Sequence, residues 1–152
     1  MGLDCSHDAW HGAYSAFMRW RRKLAEVAGL PPLELMEGFF ETAEEGLGGG
    51  TLYFGQLTDL WQEKVKQLEE QLPIRWECLK ERPLHILLYH SDCDGEIAAE
   101  DCGPIADDLE SLLPLLPDED AAGHIGNWRE KTQEFINGLR KAAAAGQPLE
   151  FY

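Results

Sequence analysis

Phe17, Trp20, Leu24 and Val27 recur at spacings of three, four and three, so they line one face of an α-helix. Gly29, followed by Pro31 and Pro32, ends that helix in the manner of a glycine cap before proline. A second amphipathic run, Trp61, Val65, Leu68 and Leu72, begins behind Thr58 as a hydroxyl N-cap. It carries Lys66 four residues before Glu70 and stops at Pro73. Ile105, Leu109, Leu112 and Leu116 predict a third helix with Pro104 in its first turn, and Trp128, Phe135, Ile136 and Leu139 predict a last one. The segment "PLHILLYH" reads as a short helix led by Pro83, although a run this short fits a buried strand equally well. "LELMEGFF" reads as another short helical piece, and "IRWECL" alternates too weakly to assign.

Strand signals are fewer. Residues 2–7 suit a short strand, "TLYF" after the glycines at 48–50 suits another, and the terminal "PLEFY" suits an edge strand. "PDEDAAGH" reads as a turn, and no repeat of fixed period occurs. The pattern predicts an α+β fold, mainly helical with a few short strands, in one domain spanning residues 1–152. An all-α fold is the alternative.

Composition and charge narrow the partners. A chain of 152 residues with 44% hydrophobic content and five tryptophans can bury a core without disulfide or metal staples. No apolar run approaches the ~18 residues a membrane helix needs. The opening "MGLDCSHDAW" lacks a basic stretch followed by an apolar one, so a cytoplasmic protein is expected. Cys5, Cys78, Cys93 and Cys102 are then expected as thiols, and none shows CxxC spacing. The net charge is −15, with eleven Asp and Glu and no Lys or Arg from Pro83 to Trp128. "RWRRK", Arg19 to Lys23, holds four of the thirteen basic residues. Phosphate backbones and anionic membranes need a basic surface, so neither general nucleic-acid binding nor membrane association is expected. The acidic half suits cations or a basic protein. The basic stretch suits a small anion, with Arg19 and Arg22 three apart as a bidentate clamp.

Residues 90–101, "HSDCDGEIAAED", fit the twelve-residue calcium loop of the EF-hand. Gly95 falls at position 6, where the sharp turn needs glycine, with Asp92 and Asp94 at positions 3 and 5 and Ile97 at position 8. Two positions depart: His90 stands at position 1 in place of Asp, and Asp101 at position 12 in place of a bidentate Glu. The candidate metal ligands are Asp92, Asp94 and Asp101, and the candidate ions are Ca²⁺ or Mg²⁺. Zinc is less favoured, since it needs His7, His90 and His124 to converge on Asp92. In a weaker echo, Asp118, Asp120, Gly123 and Ile125 fit, but Arg129 at position 12 argues against a cation. The bland alternative is that Asp92 and Asp94 cap a turn that Gly95 permits.

"DCSHDAWHGAYSAF" gathers Cys5, His7 and His11 among Asp4 and Asp8. The first helix begins only near Gly12, so His7 and His11 do not share a helix face, which weighs against zinc there. Ser6 beside His7 is one candidate nucleophile, and Cys93 is a poor one because flanking carboxylates raise a thiol pKa. No G-x-S-x-G, H-E-x-x-H, phosphate-loop or dinucleotide pattern occurs, so an enzyme is not the leading expectation. Histidines, arginine and aromatic rings suit an anionic or nucleotide-like ligand. The candidate binding set is His7, His11, Tyr14, Arg19, His90, Asp92 and Asp94. The histidines and Arg19 would hold phosphate, and the aspartates would accept ribose or base hydrogens or hold a bridging cation.

The opening "MGLDCSHDAWHGAYSAFMRWR" and the later "HSDCDGEI", with "LLP" and "GH" beyond it, resemble a group of small phage and bacterial proteins with no assigned activity. The resemblance covers both ends of the chain and is weak through residues 31–82. Small phage proteins without enzyme motifs often counter host defence, some by sequestering a nucleotide signal and some by imitating nucleic acid. The resemblance therefore implies a non-enzymatic protein that sequesters a small host signal in the host cytoplasm. Two alternatives stand beside it. One is an acidic inhibitor of a host protein that uses residues 92–120 as a phosphate-like surface. The other is a metal-dependent hydrolase built on the His/Asp loop.

Overall fold

The computed structural model describes residues 2–37, 39, 74–91, 94–121 and 125–152. The helix expected from Trp61 to Leu72, the "TLYF" strand, Asp92, Cys93 and His124 lie outside the described residues.

Strand β1 (Gly2–Cys5) pairs antiparallel with β2 (Trp10–Ala13), in register from Gly2 opposite Ala13 to Cys5 opposite Trp10. Ala9 N–H donates to the Ser6 carbonyl at 3.3 Å across the turn. The two central residues, His7 and Asp8, both stand at φ +58°. That is a type I′ hairpin turn, usually built from Asn-Gly because other side chains resist positive φ.

Helix α1 (Tyr14–Val27) follows at once and buries Phe17, Trp20 and Leu24, the face its spacing predicts. Gly29, at φ +73°, turns the chain out of it. In the described residues of "LELMEGFF" a 3₁₀ turn forms at Leu33–Leu35. Met36 then bridges Ile74 in parallel, ahead of another such turn at Trp76–Cys78. "PLHILLYH" is indeed helical: α2 (Leu84–Tyr89) buries Leu84, Leu87 and Leu88. After the two-residue β3 (Glu96–Ile97) comes α3 (Ala99–Leu112). It starts earlier than expected, so Pro104 lies inside the helix rather than in its first turn. The proline is exposed, and the buried row Cys102, Ile105, Ala106, Leu109 and Leu112 continues past it.

Helix α4 (Trp128–Ala145) is closed at both ends. Asn127 Oδ1 accepts from the N–H groups of Arg129 and Glu130, and Gly146 at φ +65° ends it. Its Thr132 joins α4 to α1: Trp20 Nε1 donates to Thr132 Oγ1 at 2.9 Å, and that hydroxyl donates to the Trp128 carbonyl at 2.8 Å. Gly138 brings α4 against the hairpin turn, for a Cβ built there would stand 2.4 Å from Ala9 Cβ. Around these contacts Trp10, Phe17, Trp20, Phe135 and Phe151 form one aromatic core, with Trp20 and Phe135 centroids 4.8 Å apart.

The terminal "PLEFY" is not an edge. Strand β4 (Leu149–Glu150) pairs with β3, placing Glu96 opposite Glu150 and Ile97 opposite Leu149. One residue on, Phe151 bridges Cys5 of β1, and Asp4 and Tyr152 exchange two N–H···O bonds of 2.9 Å. The tail thus lies between the hairpin and the 90–97 loop. Leu149 and Phe151 are buried, so the alternation that marked a strand has its apolar face on the core. The fold is α+β and mainly helical. No described helix is long and apolar enough to cross a membrane.

Candidate functional site

The hairpin turns Leu3 and Cys5 inward and Asp4 outward. His11 stands across the strands from Asp4, and Asp8 comes over the same face from the turn. His11 Nδ1 lies 2.7 Å from Asp4 Oδ1, and Nε2 lies 3.4 Å from Asp8 Oδ1. The hydrogen bond to Asp4, then that to Asp8, raises the His11 pKa above its ordinary value. Both ring nitrogens are engaged, so the ring is a surface cross-link between two carboxylates. Lys131 approaches the same strand, with Nζ 3.4 Å from the His11 carbonyl and 4.3 Å from the centroid of the buried Trp10 ring.

Ser6 and Cys5 are occupied otherwise. Ser6 Oγ accepts the Glu150 N–H at 2.9 Å, which docks β4 on the hairpin. Burial, with Asp4 adding to it, pushes the Cys5 thiol up to about 12, so it is not a nucleophile at neutral pH. Burial also raises Cys102. His7 sits partly buried in the turn, and Tyr14 opens α1 packed against the core.

Arg19 donates from Nη2 to the Ala121 carbonyl at 2.8 Å, tying α1 to the connection after α3. Arg22 pairs with the buried Glu34, whose carboxyl is raised by burial against the opposing pull of Arg22. Among the described residues the two arginines therefore face different partners. Arg21, which the sequence did not single out, is buried. Its Nη1 donates to the carbonyls of Leu87, Leu88 and His90 at 3.4, 3.2 and 2.7 Å, where α2 ends. Residues two apart on a helix project about 200° from one another. Arg19 and the His90 loop thus lie on opposite sides of α1.

His90 closes its own loop. Its Nδ1 is 2.7 Å from the Ser91 carbonyl, its Nε2 is 3.1 Å from the Glu96 carbonyl, and its ring stacks on Phe151 at 4.3 Å. Ser91 Oγ donates to Asp94 Oδ1 at 2.7 Å. Asp101 lies in the first turn of α3, a favourable end for a carboxylate. Among the described residues, no group of three or more His, Cys, Asp or Glu is placed to hold a metal ion. His11, Arg19 and His90 thus have separate anchors, at Asp4 and Asp8, at Ala121, and at Phe151 and Glu96.

Two further arginines reach into the acidic stretch. Arg82 Nε donates to Asp108 Oδ2 at 2.9 Å, and its Nη2 contacts Oδ1. Asp108 also accepts the Leu84 N–H at 3.0 Å. Burial alone would raise Asp108, but the Arg82 hydrogen bonds, the Leu84 N–H and the Arg82 charge together hold it below the ordinary carboxylate range. Arg140 of α4 contacts both Asp107 and Glu110. In the first turn of α2, His85 is buried against Trp76, with ring centroids 5.2 Å apart and no hydrogen-bond partner for Nε2 among the described residues. Only the apolar spacing of "PLHILLYH" hinted that this histidine faces inward. No family model, curated protein or solved structure matches this chain.

Proposed function

We propose that this chain is a non-enzymatic binding protein whose acidic surface takes a basic protein partner. The observation that supports it is the disposition of charge. All seven arginines of the sequence contact a carbonyl or carboxylate of the chain itself: Arg75 meets Glu77, Arg129 meets the Leu116 carbonyl, and the other five are placed as above. By contrast Glu96 and Glu150, both exposed, stand directly opposite each other on β3 and β4. Like charges in that position destabilise a sheet. A lysine or arginine of a partner laid across them relieves the repulsion. At Arg19, by contrast, Nη2 is already engaged by the Ala121 carbonyl. The phosphate-like row is weaker in its middle than residues 92–120 suggest, because Arg82 pairs with Asp108 and Arg140 is shared by Asp107 and Glu110.

The test is capture on immobilised protein, comparing the parent with Glu150→Lys. The parent should retain basic proteins at low ionic strength and release them as salt shortens the screening length below ~10 Å. Glu150→Lys gives Glu96 an internal partner and should retain markedly less. Equal capture by the variant, or capture indifferent to salt, refutes the reading.

A further inference from the structure

Residues 94–101 keep the backbone plan of the second half of a calcium loop. Gly95, the sixth residue, stands at φ +89°. The seventh and eighth, Glu96 and Ile97, form β3, and α3 begins at Ala99. In a calcium loop the carbonyl of the seventh residue is a ligand and faces the ion. Here the Glu96 carbonyl faces His90 Nε2 at 3.1 Å. The ring lies close under Gly95, for a Cβ built there would be 3.3 Å from His90 Cε1. Its face rests on the buried Phe151, and the Phe151 N–H donates back to the Gly95 carbonyl at 2.9 Å. Arg21 fixes where the loop starts by donating to the His90 carbonyl at 2.7 Å.

We propose that the His90 imidazole stands where a calcium loop holds its ion, so that closure of this loop onto the C-terminal strand depends on that ring and its stack on Phe151 rather than on a divalent cation. The exchange at position 1 explains how. An aspartate there is short and reaches the seventh carbonyl only through an ion between them. Imidazole is a poor ligand for a hard cation, but it is long enough to meet that carbonyl directly as a hydrogen-bond donor. His90, one of the two residues that depart from the calcium-loop template, is therefore the one that meets the carbonyl in place of an ion.

Amide exchange at Phe151 reports the closed loop, because its N–H crosses to Gly95. It should be measured on the full chain by NMR, in EDTA and in millimolar CaCl₂. The parent should show the same protection in both. His90→Ala should exchange about tenfold faster, the factor for losing one ordinary hydrogen bond, and CaCl₂ should not restore it. His90→Gln keeps a side-chain donor without the aromatic face. If His90→Ala does not fold, His90→Gln should exchange measurably faster than the parent in both media. Protection of the parent that requires CaCl₂ overturns the proposal. So does His90→Ala at the parent's rate or, where that variant is unfolded, His90→Gln at the parent's rate.

Discussion

Gly138 sets two ordinary effects against each other. Replacing a mid-helix glycine with alanine normally stabilises by about 1 kcal/mol, since alanine restricts the unfolded chain and suits the helix. At this position the added methyl meets the hairpin turn. It would stand 2.4 Å from Ala9 Cβ, 2.7 Å from Ala9 Cα and 3.1 Å from Ala9 N. Carbon atoms pack at about 3.5–4.0 Å, so turn and helix must separate by roughly 1 Å. Ala9 is fully buried and two of the three contacts are backbone, so no side chain can swing aside. Overpacking of this kind costs about 1–3 kcal/mol, occasionally more, and backbone contacts place it at the upper end. We expect Gly138→Ala to lose about 2 kcal/mol net, or about 4–8 °C in Tm for a chain of this size. Urea and thermal unfolding followed by tryptophan fluorescence measure it. Adding Ala9→Gly removes the 2.4 Å contact but keeps that to Cα, so recovery should be partial. A Gly138→Ala protein as stable as the parent, or more so, would show that the turn does not rest on α4 as described.

Four further outcomes follow from other contacts of the fold. Thr132→Val leaves the buried Trp20 N–H without an acceptor and should cost about 1–3 kcal/mol by urea denaturation, while Thr132→Ser keeps most of the stability. His85 is held below its ordinary pKa by burial and then by the Arg82 charge, so the unfolded chain binds the proton more readily. Its contribution is full above a pH of about 6.5 and is lost as pH falls below that value through the lower folded one. His85→Phe should therefore flatten the fall in Tm between about pH 7 and 5, and an unchanged slope would remove His85 from the account. His11 acts with the opposite sign: Asp4 and Asp8 raise it, so its contribution is lost as pH climbs beyond its folded value. Glu150→Lys turns the repelling pair on β3 and β4 into an attracting one and should raise stability by about 0.5 kcal/mol, read as a small rise in Tm.

The helices were legible where period and caps agree. α1 shows its buried face in Phe17, Trp20 and Leu24 and its stop in Gly29, and α4 shows its buried face in Trp128, Phe135, Ile136 and Leu139. β2 was not legible, because Trp10–Ala13 has no alternation and its turn is His-Asp where Asn-Gly is the usual signal. Nor was the central place of the tail, because "PLEFY" shows that it is a strand and not how many neighbours it has. Among candidate site residues, charge could be read but direction could not. "RWRRK" displays three arginines, and only the fold shows them turning to Ala121, to the end of α2 and to Glu34. The loop at 90–101 was found by its spacing. The meaning of its misfit, His90, needed the carbonyl of Glu96 and the ring of Phe151 in place.

The position of the terminal strand also bears on the order in which the molecule assembles. Phe151 and Cys5 meet from nearly opposite ends of the chain. Contacts between distant residues return energy only after the entropy of closing a long loop has been met, whereas α3 and α4 are near neighbours in sequence and pack extensively. The tail is therefore expected to dock late, after the helical pair has formed. Until it docks, Ser6 lacks the Glu150 N–H and His90 lacks its aromatic floor, so the hairpin and the loop become ordered in the same step. Contacts absent from the transition state govern how fast a protein comes apart rather than how fast it forms. Substitutions at Leu149 and Phe151 should thus be felt almost wholly as faster unfolding, and the tail sets the lifetime of the native state.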